Sequence, residues 1–380
     1  MRRALVLLLS LCAAGAVRAD PQPITVPIYV NPAAYAPHYY AIYAAIGSGP
    51  MLPYLFDTGA PYLMSTAVVP AGGACSGCAI NYGSGTSFDY AIANTAVSLG
   101  NSSGAVLATT GPMATGQITG GYWAPTGQSF TNTAGAPLPN GLYGDFGASY
   151  NGTSSMATVL SQVSLGGGLV QGYAVNVAGL AGTPAGTGTL TIGLTPAMIA
   201  AAAAAPGALV MPMDPSGTLL PNPNGGTITG VNKTQVAGTT VAYQVNGQAP
   251  VSQPLGTVFD TGGSKDATIY SSAYPQVNGG QVQVSYNGQT FIDFNGTTPA
   301  GGTTAVKVQG DDRINLGAYN LYGFYTAIFV PQSSQWNNPG TLILVPGSYD
   351  VAAVPEPASL ALLGAGLLGL GALRRTRRRR

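Results

Sequence analysis

From residue 24 onward the chain alternates short runs of strand-forming residues with breaks of Gly, Pro and Asn. The runs fall at 24–30, 39–45, 54–56, 91–99, 187–192, 239–245, 281–286 and 326–330. Short strands at this spacing, without long stretches of helical periodicity, predict an all-β sandwich or barrel. Helices are expected in two places. Thr195-Pro196 before an alanine run, closed by Pro206-Gly207, carries a cap, a first-turn proline and a stop, which predicts a helix over 197–205. A second is expected over 155–163, and the Gly- and Pro-rich stretch 215–226 reads as an exposed loop.

The two ends break this pattern. Residues 1–19 combine Arg2 and Arg3, an apolar run and Val17-Arg18-Ala19, the layout of a cleaved secretory signal; the run is too short to span a bilayer, which takes ~20 apolar residues. At the other end Pro355-Glu356-Pro357 precedes an apolar stretch over 358–373 and then six arginines. An apolar span followed by arginines halts in a membrane with its basic end in the cytoplasm. A plain transmembrane anchor is the alternative to a sorting device. The proline-flanked Glu356 is the only Glu in the chain, which favours sorting.

Charge sharpens the picture once the ends are set aside. The chain has 13 Lys and Arg against 12 Asp and Glu. Between Asp20 and Ala353, however, only Lys233, Lys265, Lys307 and Arg313 face eleven Asp, a net of −7. An acidic body argues against nucleic acid as a partner, because phosphate binding needs a basic face. Outside the signal only Cys75 and Cys78 remain, in Cys-Ser-Gly-Cys. In an oxidising exterior such a pair is most simply a disulfide. A redox motif is expected beside a βαβ pattern, which is not visible, and half a zinc site lacks its second pair.

A short motif occurs twice. Tyr54-Leu55-Phe56-Asp57-Thr58-Gly59 and Thr257-Val258-Phe259-Asp260-Thr261-Gly262 each set an apolar strand before Asp-Thr-Gly, about half a chain apart. A repeat at this period points to two similar lobes. Other hydrolytic chemistry is poorly supplied: His38 is the only His, and neither Gly-x-Ser-x-Gly nor His-Glu-x-x-His is present. Two aspartates brought together cannot both ionise, so they share a proton and act as base and acid toward a water between them. The glycine after each threonine is expected to let the chain turn tightly enough for the carboxylates to face each other.

With these residues the sequence resembles the pepsin-like aspartic peptidases. Ile80-Asn81-Tyr82-Gly83-Ser84-Gly85 resembles the flap of that family, with Tyr82 closing over the substrate. The segments 140–144 and 313–317, the latter followed by 325–329, resemble those that support each catalytic loop. The tail resembles the PEP-CTERM sorting signal of Gram-negative bacteria, which an exosortase recognises and removes.

The resemblance implies a bilobal all-β fold: a signal at 1–19, an N-terminal lobe at 20–185, a C-terminal lobe at 186–352 and a sorting tail at 353–380. It implies a monomeric exported endopeptidase with Asp57 and Asp260 catalytic and Thr58, Gly59, Thr261 and Gly262 supporting them. Its substrate is a peptide or protein, it needs no metal or cofactor, and it meets the membrane only through its tail.

Departures from the family pattern open a second expectation, the same fold kept as a binding or surface protein. A Gly-rich matrix protein is a third. Ala60 and Gly263 stand where hydroxyl donors to the carboxylates are common, which predicts raised pKa values at both aspartates. Met64 stands at the position of a tryptophan that bonds the flap tyrosine, and Lys265 and Asp266 bring charge after the second motif.

Overall fold

The computed structural model describes residues 21–30, 39–67, 75, 78–132, 135–180, 186–263, 267–295, 304–307, 312–318, 322–336 and 338–351. The expected signal, His38, Lys265, Asp266 and the C-terminal tail lie outside the described residues. Among the described residues no helix is long and apolar enough to cross a membrane.

The β prediction holds. Described strands form sheets of sixteen, three and seven strands. Two predicted runs fall as drawn, at Ile24–Val30 and Gln281–Tyr286, and most others differ by one to three residues at an end. The run at 91–99 is two strands, Ser87–Thr95 and Val97–Gly100, because Ala96 gives its carbonyl to the Gly47 amide, outside the ladder. The stretch at 215–226 is not wholly a loop: Pro215–Leu220 pairs with Ile228–Val231, its proline at the strand's first position, where a missing N–H is tolerated. Of the two helices, Pro196–Ala203 forms with Thr195 capping it from the side chain, whereas the second shrinks to Val159–Gln162 behind the Thr158 cap.

The large sheet carries chain from both halves. Its strand Thr187–Leu194 lies between Ile24–Val30 and Val170–Asn176, and the latter pairs in turn with Tyr325–Val330 from near the end of the body. The division expected at 185/186 therefore falls between two neighbouring strands of one sheet. The seven-stranded sheet is built from the second half alone, between Val236 and Leu316. One apolar cluster reaches from Val26 to Leu344 through both halves. Burying each such side chain contributes roughly 1.5–3 kcal/mol, so the two halves are bound through a shared core. A smaller cluster of Met64, Phe88, Ile118, Trp123, Leu138 and Met156 lies around Tyr82, which packs against it.

The repeated motif is also a repeated structure. Leu52–Asp57 runs into the first Asp-Thr-Gly loop, and Gly144–Gly147 threads between it and Leu63–Ser65, parallel to the first and antiparallel to the second. In the other half Arg313–Leu316 threads in the same way between Val251–Phe259 and Ala267–Tyr270.

Candidate active site

Each Asp-Thr-Gly loop is held by the strand that threads beside it. The amide of Ala148 bonds to the Asp57 carbonyl at 2.7 Å, and that of Asp260 to the Leu316 carbonyl at 3.0 Å. In the first half the supporting segment is thus 144–147, four residues beyond the expected 140–144, which forms a turn in which Asn140 accepts from the Leu142 amide. In the second half 313–317 supports the loop as expected. The segment 325–329 belongs to the large sheet, where main-chain pairing with Val170–Asn176 and Thr341–Pro346 fixes it away from the loop.

The loops lock to each other through Thr58 and Thr261. The Thr58 amide donates to Thr261 Oγ1 and the Thr261 amide to Thr58 Oγ1, both at 3.0 Å. Each hydroxyl then gives its own proton across the divide, Thr58 to the Phe259 carbonyl at 2.7 Å and Thr261 to that of Phe56 at 2.5 Å. Because the Thr58 proton is committed, Tyr322, 2.8 Å away, must donate to it. Gln235 adds a third tie, donating to the Thr58 carbonyl at 2.5 Å and accepting from the Phe259 amide at 2.8 Å. Neither Gln235 nor Tyr322 carries a sequence signal, since both partners are backbone or hydroxyl groups brought near only by the fold.

This lattice brings Asp57 and Asp260 together. A Cβ on Gly59 would lie 2.6 Å from Asp260 Cγ, and one on Gly262 closer still to the Asp57 carboxyl. Neither glycine needs a left-handed φ. The tight-turn explanation for them is therefore replaced by a steric one: each lies against the opposite carboxyl, where no side chain fits. Gly59 and Ala60 donate their amides to Asp57 Oδ1 at 2.7 and 3.0 Å, and Gly262 donates to Asp260 Oδ1 at 2.8 Å. Burial, then repulsion from Asp260 and Asp145 and a hydrogen bond with Asp260, hold the Asp57 carboxyl well above the usual carboxylate range.

The expectation of two donor-poor aspartates needs revision on one side. Gly263 supplies no hydroxyl, but Asn315 donates Nδ2 to Asp260 Oδ2 at 2.6 Å. Asn315 lies opposite Val258, two residues before Asp260. The matching position of the first half, opposite Leu55 and two residues before Asp57, is Asp145. The two halves thus set an amide beside one aspartate and a third carboxyl beside the other.

The flap residues fall at the tip of a hairpin between Cys78–Asn81 and Ser87–Thr95. Tyr82 and Thr86 close the turn through a 2.9 Å backbone bond, Gly85 supplies a φ of +92°, and Ser84 Oγ accepts from the Thr86 amide at 3.3 Å. Cys75 and Cys78 are disulfide-bonded at the base of this hairpin, with Cα atoms 5.6 Å apart. The tip is tied across the cleft, where the Gly83 carbonyl accepts from Lys307 Nζ at 2.8 Å and from the Tyr270 hydroxyl at 3.4 Å. Beneath it lies a cavity of about 690 Å³ lined by Asp57, Asp260, Asp145, Tyr82 and Asn315. An extended, partly apolar cavity with a few convergent polar groups suits a peptide-sized ligand.

The architecture is similar to that of the aspartic proteinase from Irpex lacteus, with a TM-score of 0.51 and 16% identity over 88% of this chain and all of that one. Conglutin gamma, a basic 7S globulin from lupine seeds, gives 0.48 at 11% identity over 87% of this chain and 96% of its own. Basic 7S globulin from soybean gives 0.49 at 10% identity over 89% of this chain and all of its own. No curated protein sequence matches the chain. The fold is the bilobal, pepsin-like fold of the aspartic peptidases. Residues 353–379 match the PEP-CTERM protein-sorting motif. The chain thus joins a pepsin-like fold to a C-terminal motif that indicates export and sorting, through exosortase recognition, to the Gram-negative cell envelope.

Proposed function

We propose that the protein is an aspartic endopeptidase that hydrolyses peptide bonds with Asp57 and Asp260. The observation that carries this reading is the reciprocal Thr58–Thr261 lattice, which holds the two carboxyls against each other on the floor of the cleft. A water between them loses a proton to the ionised member of the pair as its oxygen bonds to the scissile carbonyl carbon. The protonated member gives its proton to the carbonyl oxygen. The tetrahedral intermediate then collapses, the C–N bond breaks and the leaving amine takes a proton from the pair. The flap edge adds strand-like hydrogen bonds to the extended substrate, and Tyr82 with the flap tip covers it.

Casein cleavage by the body without its targeting ends tests the reading. Asp57→Asn and Asp260→Asn should each lower the rate by roughly 10²–10⁴-fold, the usual contribution of a positioned acid or base. Equal activity in the parent and both variants overturns it.

A further inference from the structure

We propose that Asp145 is the floor of a subsite that selects a cationic side chain, lysine or arginine, beside the scissile bond. This rests on the peptidase reading and names a substrate class for it. Asp145 is 3% exposed, lines the cleft, and neither of its carboxyl oxygens receives a well-formed hydrogen bond, the Tyr82 hydroxyl being the donor nearby. Leaving such a group unsatisfied is costly, and more so when it is charged. Its counterpart Asn315 is engaged on the neighbouring aspartate. Asp145 makes no such bond to Asp57, which takes the Gly59 and Ala60 amides.

The surroundings match a long cation. Ile80, Phe88, Trp123 and Leu138 line the same cavity, and apolar walls suit a methylene stem whose charged head must reach a polar partner. Asp145 supplies that partner: an entering ammonium or guanidinium favours its ionised form and brings the donors that the carboxylate lacks. An acidic side chain there would meet Asp145, Asp57 and Asp260 together. Tyr82 closes the subsite when it is empty. Its hydroxyl is sealed from solvent and lies against Asp145, interacting with its carboxyl without a well-formed hydrogen bond. A cationic side chain entering beneath the flap displaces this hydroxyl from Asp145.

The test uses binding, so it does not depend on turnover. Hexapeptides with a hydroxyethylene isostere carry lysine, norleucine or glutamate at one flanking residue, in one series for each side of the isostere, and their Kd values are measured by calorimetry. In one series the parent should bind lysine at least about tenfold tighter than norleucine, as a desolvated charge pair allows, with glutamate weakest. Asp145→Asn, which preserves shape, should bring lysine and norleucine to within roughly twofold of each other. Norleucine bound as tightly as lysine by the parent in both series, or a lysine preference that survives in Asp145→Asn, overturns the subsite while leaving the peptidase reading intact. Should folded parent bind none of the peptides, the peptidase reading falls and the subsite with it.

Discussion

Asp145 shows how one residue can weaken the fold in a way that only the site explains. Burial raises its carboxyl well above the usual carboxylate range, the charge of Asp260 adds to the rise, and the Tyr82 hydroxyl works against it. Below an unfolded pKa of about 3.9 both states are protonated and nothing is lost. As pH rises past that value the unfolded chain releases the proton while the folded chain keeps it, so stability falls until the folded pKa is passed, by roughly 1.4 kcal/mol for each unit of difference. Asp145→Asn removes this loss. Its melting temperature relative to the parent should therefore be higher at pH 7 than at pH 4. A difference that is the same at both pH values would show that Asp145 is not held neutral by the fold. Nothing in Gly-Asp-Phe-Gly as sequence signals this group, because it becomes special only when threaded beside Asp57.

Among elements, the two catalytic loops and their supporting strands were legible to different degrees. The doubled Asp-Thr-Gly was plain because identical chemistry at two places needs identical residues. The sequence marks the Arg313–Leu316 strand at its place but points to 140–144 for the first supporting strand, since Asn140-Gly-Leu-Tyr-Gly and Gly-Asp-Phe-Gly offer similar glycine punctuation. Nothing in the sequence marks the strand Met113–Trp123, whose alternation of small and polar residues carries little periodic signal. The role of Thr58 was likewise only partly visible. Its hydroxyl joins Phe259, Thr261 and Tyr322, so Thr58→Val leaves a carbonyl, an amide and a phenol without their partner. Each group left unsatisfied costs roughly 1–3 kcal/mol, so urea denaturation should show a loss of at least about 2 kcal/mol. Thr58→Ser keeps the hydroxyl and should stay within about 1 kcal/mol, the value of one buried carbon. Equal losses in the two variants would mean that packing, not the hydrogen-bond lattice, joins the loops.

Over the whole molecule, the sorting tail and the folded body meet at a definite boundary. Val351 is 3% exposed and packs in a cluster with Leu194 and Ile343, and the sorting motif begins two residues later at 353. The last strand of the body, Thr341–Pro346, lies between Leu209–Pro212 and Tyr325–Val330 in the large sheet, with Leu342, Ile343 and Leu344 fully buried. A chain ending at Ala352 retains every one of these contacts, so its melting temperature should fall within about 1 °C of the full body's, as for surface changes away from the core. A chain ending at Gly340 loses five core side chains, Leu342, Ile343, Leu344, Val345 and Val351, at roughly 1.5–3 kcal/mol each and leaves two strands without their neighbour. Against a total stability of about 5–15 kcal/mol, that loss should abolish cooperative unfolding. Thermal melts of the two truncations check this directly. If the chain ending at Ala352 melted far below the full body, the tail would be part of the fold, and exosortase recognition would have to reach a folded segment.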